Sequence, residues 1–401
     1  MTTLTLHRPL VFAGPAFLVA VGYVDPGNWG TDIAAGSQYG YRLLWVLVAA
    51  NGVALFLQYL AAKLGIATGS HLAALLGTRL SRPARLGVLA VVTAILIATE
   101  VAEFLGVVIA LHLLLGGPMV LSVLIGAALV LGMLTVARGN RALERGIGLL
   151  LAVVAAVYVM GIWLSAPGAE PLSGLAPSLP PGSALIAVSL MGATIMPHNL
   201  FLHSGVVGWN TDGGLDRLED RSAALRTAMV CGAVALNAAL LLNAAIMIVA
   251  AATGDGEVPS GMTEAAGALA PALGPMAVTG FGLGLLAAGL ASTTTSGVAG
   301  QFMIEGLTRL RPPLLLRRAV ALVPAVLLLA SGVGEVEALL VSQLVLGLAL
   351  PIVVLVLIRL TSSTEVMGAM ANGPATRRAA YAVLTLVTAA NVGLIADLLL
   401  S

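Results

Sequence analysis

The sequence Asp25-Pro26-Gly27-Asn28 lies inside the first apolar segment of this chain, and Met196-Pro197-His198 lies inside the sixth. Because proline has no N–H to donate to the carbonyl four residues earlier, these breaks leave the carbonyls of Gly22 and Ala193 without their helical partners. Such carbonyls are tolerated at membrane depth only where they line a cavity or bind a ligand. Segments broken by Gly and Pro at corresponding positions of two halves therefore predict a substrate site between them.

The composition is that of a polytopic membrane protein. Of the 401 residues, 59% are hydrophobic and 9% are charged, and the mean hydropathy is +1.04. A soluble domain typically carries about 25% charged residues. Apolar stretches long enough for a helix of roughly 20 residues to cross the hydrocarbon core predict an all-α protein with eleven spans. Their approximate centres are Leu18, Leu55, Leu96, Leu129, Ala155, Met191, Leu241, Leu285, Val326, Gly347 and Thr388.

The basic residues predict the orientation of these spans. All but one of the 19 Lys and Arg residues precede span 1 or lie in the connections after spans 2, 4, 6, 8 and 10, and the exception is Arg42. Because Lys and Arg in short loops stay in the cytoplasm, we expect a multi-pass protein of the cytoplasmic membrane with its N-terminus inside and its C-terminus outside. This topology explains the basic residues, and the net charge of +1 gives no sign of nucleic-acid binding.

The spacing of the two breaks indicates an inverted repeat. Five spans separate Pro26 from Pro197, an odd number, so the second repeat would be inserted upside down relative to the first. We predict one transmembrane domain with a 5+5 repeat, over about residues 8–165 and 182–360, and an eleventh helix over about 378–400. The broken helices 1 and 6 would then meet near the bilayer midplane.

Polar residues inside the spans identify candidate functional groups, because burying an ionisable side chain in lipid is costly. The candidates are Asp25, Glu100, Glu103, His198 and His203, with Asn28, Asn51, Asn237, Asn243, Gln301 and Gln343 as neutral companions. Asp25 has a structural alternative as the N-cap of the second half-helix, where Asp is favoured. Its position opposite a second break favours a cation ligand, and Asn28, three residues later, shares its face.

Met196 indicates which cation such a site would take. Methionine is commonly a gap filler in apolar cores, which is the structural alternative here. Directly before the second proline, however, its thioether would add a soft ligand to hard oxygens. That mixture favours Mn²⁺, Fe²⁺, Co²⁺ or Cd²⁺ over Mg²⁺ and Ca²⁺.

Glu100 and Glu103 lie three residues apart on one face of span 3. Two carboxylates in a low-dielectric interior repel each other when both are ionised, so one of them readily accepts a proton. His198, two residues after Met196, titrates in the physiological range when unperturbed. Together they predict a proton relay that leads from the metal site, with inert hydrogen bonding as the alternative. For His203, a purely structural hydrogen bond is an equal alternative.

Three motifs together resemble the Nramp family of divalent-metal transporters. They are Asp25-Pro26-Gly27-Asn28, Ala193-Thr194-Ile195-Met196-Pro197-His198 and Glu100-Val101-Ala102-Glu103-Phe104. Further matches include Tyr39-Gly40-Tyr41, Lys63-Leu64-Gly65-Ile66-Ala67-Thr68-Gly69, Arg317-Arg318 and Ser342-Gln343. The resemblance implies a LeuT-like fold of 11 spans, with helices 1 and 6 unwound at the midplane. It also implies import of Mn²⁺ or Fe²⁺ with protons by alternating access, with no cofactor beyond the transported ions.

The resemblance also implies roles for individual residues. The family's metal ligands match the side chains of Asp25, Asn28 and Met196 and the carbonyls of Gly22 and Ala193, with Gln343 joining the site on closure. The family's proton path matches His198, Glu100, Glu103 and Arg318, with Arg317 beside it. The sequence departs from the family pattern where Trp29 replaces Phe, Gly22 replaces Ala, and Glu100 replaces Asp.

Other classes of function fit the sequence less well. An amino-acid transporter of the same fold would not place Asp25 where a substrate carboxylate binds. An intramembrane metalloenzyme lacks a His-Glu-x-x-His motif, and His198 and His203 are wrongly spaced for one helical face, so the chain is not predicted to be an enzyme. A Mg²⁺ or broad divalent cation transporter or channel with weak proton coupling is the remaining alternative. The expected partners are divalent ions, protons and the lipid bilayer, and a monomer is compatible with them.

Overall fold

A computed structural model describes residues 22–136, 162, 168–209, 218–268 and 277–400, and within them every regular element is helical. The long helices are α1 (Pro26–Tyr39), α2 (Leu44–Thr68), α3 (Arg82–Leu115), α4 (Met119–Val136), α5 (Ala184–Ile195), α6 (Pro197–Trp209), α7 (Leu218–Thr253), α8 (Ala277–Thr308), α9 (Leu314–Ser331), α10 (Glu335–Thr361) and α11 (Pro374–Leu400). Short helices cover Gly40–Leu43, Leu72–Arg79, Glu170–Ser173, Met262–Ala268, Thr364–Met367 and Gly368–Met370.

The predicted spans agree with these helices wherever the structure describes them. The predicted centres Leu18 and Ala155 lie outside the described residues, and every other centre falls within a helix. In the part of the chain described, seven helical stretches are long and apolar enough to cross a membrane. The 5+5 repeat stays a prediction, because its first half includes residues outside the described ranges.

Each predicted break lies directly before a helix that begins with proline. Asp25, in an extended conformation, precedes α1, which begins at Pro26. The second break separates α5, which ends at Ile195, from α6, which begins at Pro197. Proline is favoured in the first turn of a helix because the N–H it lacks has no intrahelical partner there. Each proline therefore begins a helix, and at the second break a single residue, Met196, separates α5 from α6.

The broken helices lie at the centre of the bundle. Helix α1 packs against α7, α10, α5 and α3, and α6 packs against α2 and α8. Helices α4, α9 and α11 lie at the periphery and expose apolar side chains that suit a lipid surface, among them Leu124 on α4, Leu327 on α9 and Ile395 on α11. This arrangement buries both breaks among helices rather than in lipid.

Close packing of α5 on α10 depends on glycine. A Cβ placed on Gly192 would overlap the carbonyl oxygen of Gln343 and lie 2.5 Å from the backbone nitrogen of Gly347. Small residues let the backbones of membrane helices approach each other closely. This contact holds the middle of α10, and with it Gln343, beside the break between α5 and α6.

Candidate metal centre

At the first break, Asp25 caps α1 with one carboxylate oxygen. Its Oδ1 accepts a hydrogen bond of 2.7 Å from the backbone N–H of Asn28, so the N-cap alternative considered for this residue is correct. The cap does not compete with metal ligation, because a carboxylate has two oxygens and several lone pairs. The Asn28 side chain donates from Nδ2 to the carbonyl of Tyr23 at 2.8 Å. This bond commits the amide nitrogen and leaves the amide oxygen as the group that can coordinate a cation.

At the second break, Met196 adopts an unusual backbone conformation. Its φ of 49° and ψ of 85° place it in the left-handed region, which typically costs a non-glycine residue about 1–3 kcal/mol. The backbone N–H of Met196 bonds to the carbonyl of Gly192 at 3.1 Å, and its carbonyl accepts from the N–H of Asn199 at 3.0 Å. Such strain persists only where surrounding structure holds it, and it clusters at functional sites. The conformation therefore favours a ligand role for Met196 over simple gap filling.

The Met196 sulfur already has a polar neighbour. Asn199, one turn into α6, donates from Nδ2 to the sulfur over 3.2 Å. A Cβ placed on Gly22 would lie 2.8 Å from the same amide nitrogen. Asn199 therefore connects the unwound segment before α1 with the sulfur at the second break, and larger residues than glycine at position 22 would displace it.

Gln343 reaches the first break from α10. A Cβ placed on Gly27 would overlap the Gln343 amide nitrogen, so this glycine leaves the space that the side chain occupies. The amide nitrogen also bonds to Ser342 Oγ at 3.2 Å, while Oε1 has no hydrogen-bond partner among the described residues. Gln343 therefore lies beside Gly27 at the first break, and its role as a ligand that joins on closure stays a prediction.

The gathered donors are buried and carry little charge. Asp25, Asn28, Ala193, Met196 and Gln343 are each at most 2% exposed. Among the described residues, no group of three His, Cys, Asp or Glu side chains converges as a resident metal site would require. A borderline divalent ion can be bound by one carboxylate together with amide oxygens, a thioether and backbone carbonyls. Because only one of these ligands is negatively charged, the ion is not held permanently.

A buried ionic cluster lies between α3, α8 and α9. Arg318, which is fully buried, forms an ion pair with Glu100 and lies 3.5 Å from Glu103 Oε2. The hydroxyl of Ser296 donates to the same Glu103 oxygen at 2.6 Å. Arg318 also donates to the carbonyl of Thr293 and, at 3.1 Å, to Ser296 Oγ. The two predicted carboxylates are thus brought together with the predicted arginine, and one guanidinium partly compensates both.

The remaining predicted relay residues lie near this cluster or near the unwound segment. His198 Nδ1 lies 3.2 Å from Oγ1 of Thr99, the neighbour of Glu100, so α6 is joined to α3 next to the carboxylates. Arg317 donates over 2.5 Å to the carbonyl of Gly297, and no carboxylate among the described residues forms an ion pair with it. His198 therefore lies between Met196 and the ionic cluster, and the proton relay stays a prediction.

His203 belongs to a different hydrogen-bond chain. Its Nδ1 lies 2.6 Å from Gln58 Oε1, an oxygen that can only accept, so the Nδ1–H donates. The other end of the same amide donates to the hydroxyl of Tyr23 at 2.6 Å. This His203–Gln58–Tyr23 chain ends beside Asn28, which supports the structural alternative for His203.

Sequence reasoning missed several polar residues that the structure places near the site, and two of them, Asn199 and Asp32, lie in the helices that follow the breaks. Asn199, described above, had no motif of its own. Asp32 is 1% exposed in α1 and lies seven residues after Asp25. Because residues at i and i+7 share a helical face, this spacing was the signal that could have found it.

Comparisons with known proteins identify the family of this chain. The model of the family described as natural resistance-associated macrophage protein-like, Nramp, matches residues 16–397. A divalent metal cation transporter MntH of Pectobacterium carotovorum is 39% identical over 396 residues, covering 97% of this chain and 94% of that protein. One of Mycobacterium tuberculosis is 38% identical over 399 residues, covering 98% of this chain and 93% of that protein.

Solved structures show the same architecture. A crystal structure of an Eremococcus coleocola manganese transporter has a TM-score of 0.84 and 30% identity, covering 98% of this chain and 87% of that one. Mhp1, a nucleobase-cation-symport-1 family transporter, has a TM-score of 0.63 at 17% identity, covering 98% of this chain and 90% of that one, a likeness of fold alone. The predicted all-α, LeuT-like fold is therefore confirmed, and the chain belongs to the Nramp family.

Proposed function

We propose that this protein imports divalent transition-metal ions, Mn²⁺ and Fe²⁺, across the cytoplasmic membrane by alternating access, together with protons. The observation that carries the proposal is the meeting of the two helix breaks: Gly22 contacts Asn199, which donates to the Met196 sulfur, and Gly27, between Asp25 and Asn28, contacts Gln343. These donors combine hard oxygens with one soft sulfur, which suits borderline divalent ions. The names of the relatives, divalent metal cation transporter and manganese transporter, support the same substrate class.

The proton part of the proposal rests on the ionic cluster. Arg318 compensates one negative charge, while Glu100 and Glu103 together carry two when both are ionised. Burial of an uncompensated charge is costly, so the cluster favours holding one proton. Arrival of a divalent ion near His198 disfavours positive charge on that ring and directs a proton toward the carboxylates. Release of this proton to the cytoplasm would then accompany release of the metal.

The Asp25→Asn variant tests the metal centre. Asparagine also serves as an N-cap, so α1 should still begin at Pro26 and the protein should stay monodisperse in detergent. Loss of the carboxylate charge should remove most Mn²⁺ binding by calorimetry. Glu365→Gln is the control, because it removes an exposed carboxylate that pairs with Arg79. Unchanged Mn²⁺ affinity in Asp25→Asn would end the metal-site proposal.

The Glu103→Gln variant tests the coupling to protons. In proteoliposomes, Mn²⁺ uptake by the parent should rise as the external pH falls from about 7.5 to 5.5, and each ion should acidify the lumen. Glu103→Gln should keep Mn²⁺ binding but acidify the lumen less per ion taken up. Glu264→Gln, which alters an exposed carboxylate hydrogen-bonded to Ser260, is the control. Equal acidification by parent and Glu103→Gln would show that protons travel elsewhere.

A further inference from the structure

Asp32 is a buried carboxylate that the proposed transport cycle does not use. It is 1% exposed in α1, and neither of its oxygens has a hydrogen-bond partner among the described residues. The ion pairs found in that part of the chain do not include it. A carboxylate buried in this way is costly unless it neutralises or binds a cation.

Helix α7 places a second oxygen at the same level. Gly36 of α1 packs against the backbone of Met247 on α7, and Gly254, the residue directly after α7, packs against Ser37. Along this contact, higher residue numbers of α1 meet higher residue numbers of α7 and the residue after it. The two helices therefore run in the same direction. One turn before Gly36 lies Asp32, and one turn before Met247 lies Asn243, on the same stripe of α7.

Asn243 can supply an oxygen ligand at this position. It is 3% exposed, and its Oδ1 has no hydrogen-bond partner among the described residues. Two carboxylate oxygens and one amide oxygen therefore lie at one level of the α1–α7 contact, all unpartnered. Carboxylate and carbonyl oxygens are the ligands of hard cations.

We propose that Asp32 and Asn243 form an outer station, a second cation site at which the divalent cargo ion rests before it reaches the metal centre at Asp25 and Met196. The inference rests on the proposed import function. Asp32 lies seven residues after Asp25, about 10 Å further along the axis of α1, and in the predicted topology this is the extracellular side. An ion in the outer station has only oxygen ligands, so the station should bind Ca²⁺ and Mn²⁺ without preferring soft ions.

The two sites should be used in succession. Two divalent ions about 10 Å apart in a buried site repel each other, so an ion in the outer station favours transfer to an empty centre and a filled centre disfavours loading of the station. A carboxylate in a narrow, low-dielectric path also raises the local cation concentration and speeds loading.

The first experiment measures Mn²⁺ binding by the electron paramagnetic resonance signal of the free ion, using full-length purified protein. Asp25→Asn should keep weak residual binding that Ca²⁺ competes for, and adding Asp32→Asn should abolish it. Equal binding by the single and double variants would overturn the outer station. If Asp25→Asn alone binds Mn²⁺ like the parent, the proposed metal centre fails instead, so the two failures are distinguishable.

The second experiment measures initial Mn²⁺ uptake into proteoliposomes far below saturation. Asp32→Asn removes an unpaired buried charge, so the variant should fold at least as well as the parent. It should lower this rate about tenfold, which is the lower end of the increase in association rate that charged clefts provide. Its Mn²⁺ affinity at equilibrium should stay that of the parent. Asn243→Leu should also slow uptake, whereas Asn391→Leu, which removes a comparably buried amide from α11, should not. Parent-like uptake by Asp32→Asn, as expected of a permanently protonated carboxyl, would overturn the proposal.

Discussion

Replacing Arg318 by leucine should strongly destabilise the protein, because its guanidinium is the only positive group found in contact with Glu100 and Glu103 among the described residues. Arg318 is fully buried and both carboxylates are nearly so. Removing one partner of a buried ion pair typically costs about 3–5 kcal/mol, because the other partner stays buried and unpaired. At about 1.4 kcal/mol per factor of ten, the folded fraction relative to the unfolded one should fall roughly a hundredfold or more.

The free energy of unfolding would be measured by denaturant titration in mixed micelles. Arg79→Leu is the control, since it breaks an ion pair of 2.9 Å whose partners are 38% and 80% exposed, and such pairs contribute about 0–1 kcal/mol. Adding Glu100→Leu and Glu103→Leu to Arg318→Leu should recover most of the loss, because apolar residues often replace a buried ionic group without cost. If Arg318→Leu unfolds like Arg79→Leu, or if the triple variant stays as unstable as the single one, the electrostatic explanation is wrong.

Three further variants test packing and chemistry near the site. Met196→Ala should weaken binding of soft Cd²⁺ more than that of Mg²⁺ or Ca²⁺ in calorimetric titrations, whereas an equal loss for every ion would make Met196 a packing residue. Gly192→Ala should destabilise the protein by roughly 1–3 kcal/mol because its methyl group overlaps α10. The control Gly52→Ala, where the space is open, should be neutral or stabilising. Similar unfolding midpoints for both variants would contradict the packing argument. His71 caps the helix Leu72–Arg79, and burial lowers its pKa to about 4. Because the unfolded chain takes up this proton near pH 6.5 and the folded protein only near pH 4, folding stability should fall as the pH drops between these values. His71→Asn should flatten that loss in unfolding midpoints, and an unaltered pH profile would show that His71 is not responsible.

The backbone of the candidate site could be predicted from the sequence because its cause is local. A proline removes a hydrogen bond four residues away in any context, so the breaks at Pro26 and Pro197 required no knowledge of the tertiary fold. The N-cap at Asp25 follows from the same local rules. The left-handed conformation of Met196 does not, because it is a strained state that only the surrounding helices maintain.

The partners of the buried charges could not be predicted from spacing, because they come from distant parts of the chain. Arg318 is 218 residues from Glu100, and no local pattern connects a residue of α9 with one face of α3. Family resemblance supplied Arg318 as a candidate, but its shared contact with two carboxylates, Thr293 and Ser296 is a result of packing. Asp32 was overlooked for the opposite reason, since its spacing from Asp25 is local but no motif includes it.

The unwound segment before α1 is tied to two other helices by hydrogen bonds in series. Asn28 donates to the carbonyl of Tyr23, whose hydroxyl accepts from Gln58 on α2, which in turn accepts from His203 on α6. A tilt of α6 relative to α2 must therefore break a bond in this chain or move Tyr23. Because Tyr23 also holds the Asn28 amide, such a motion changes the orientation of a proposed metal ligand. Movement of α6 and the geometry at Asn28 are thus connected by these hydrogen bonds, which is the physical link that the proposed alternating access requires.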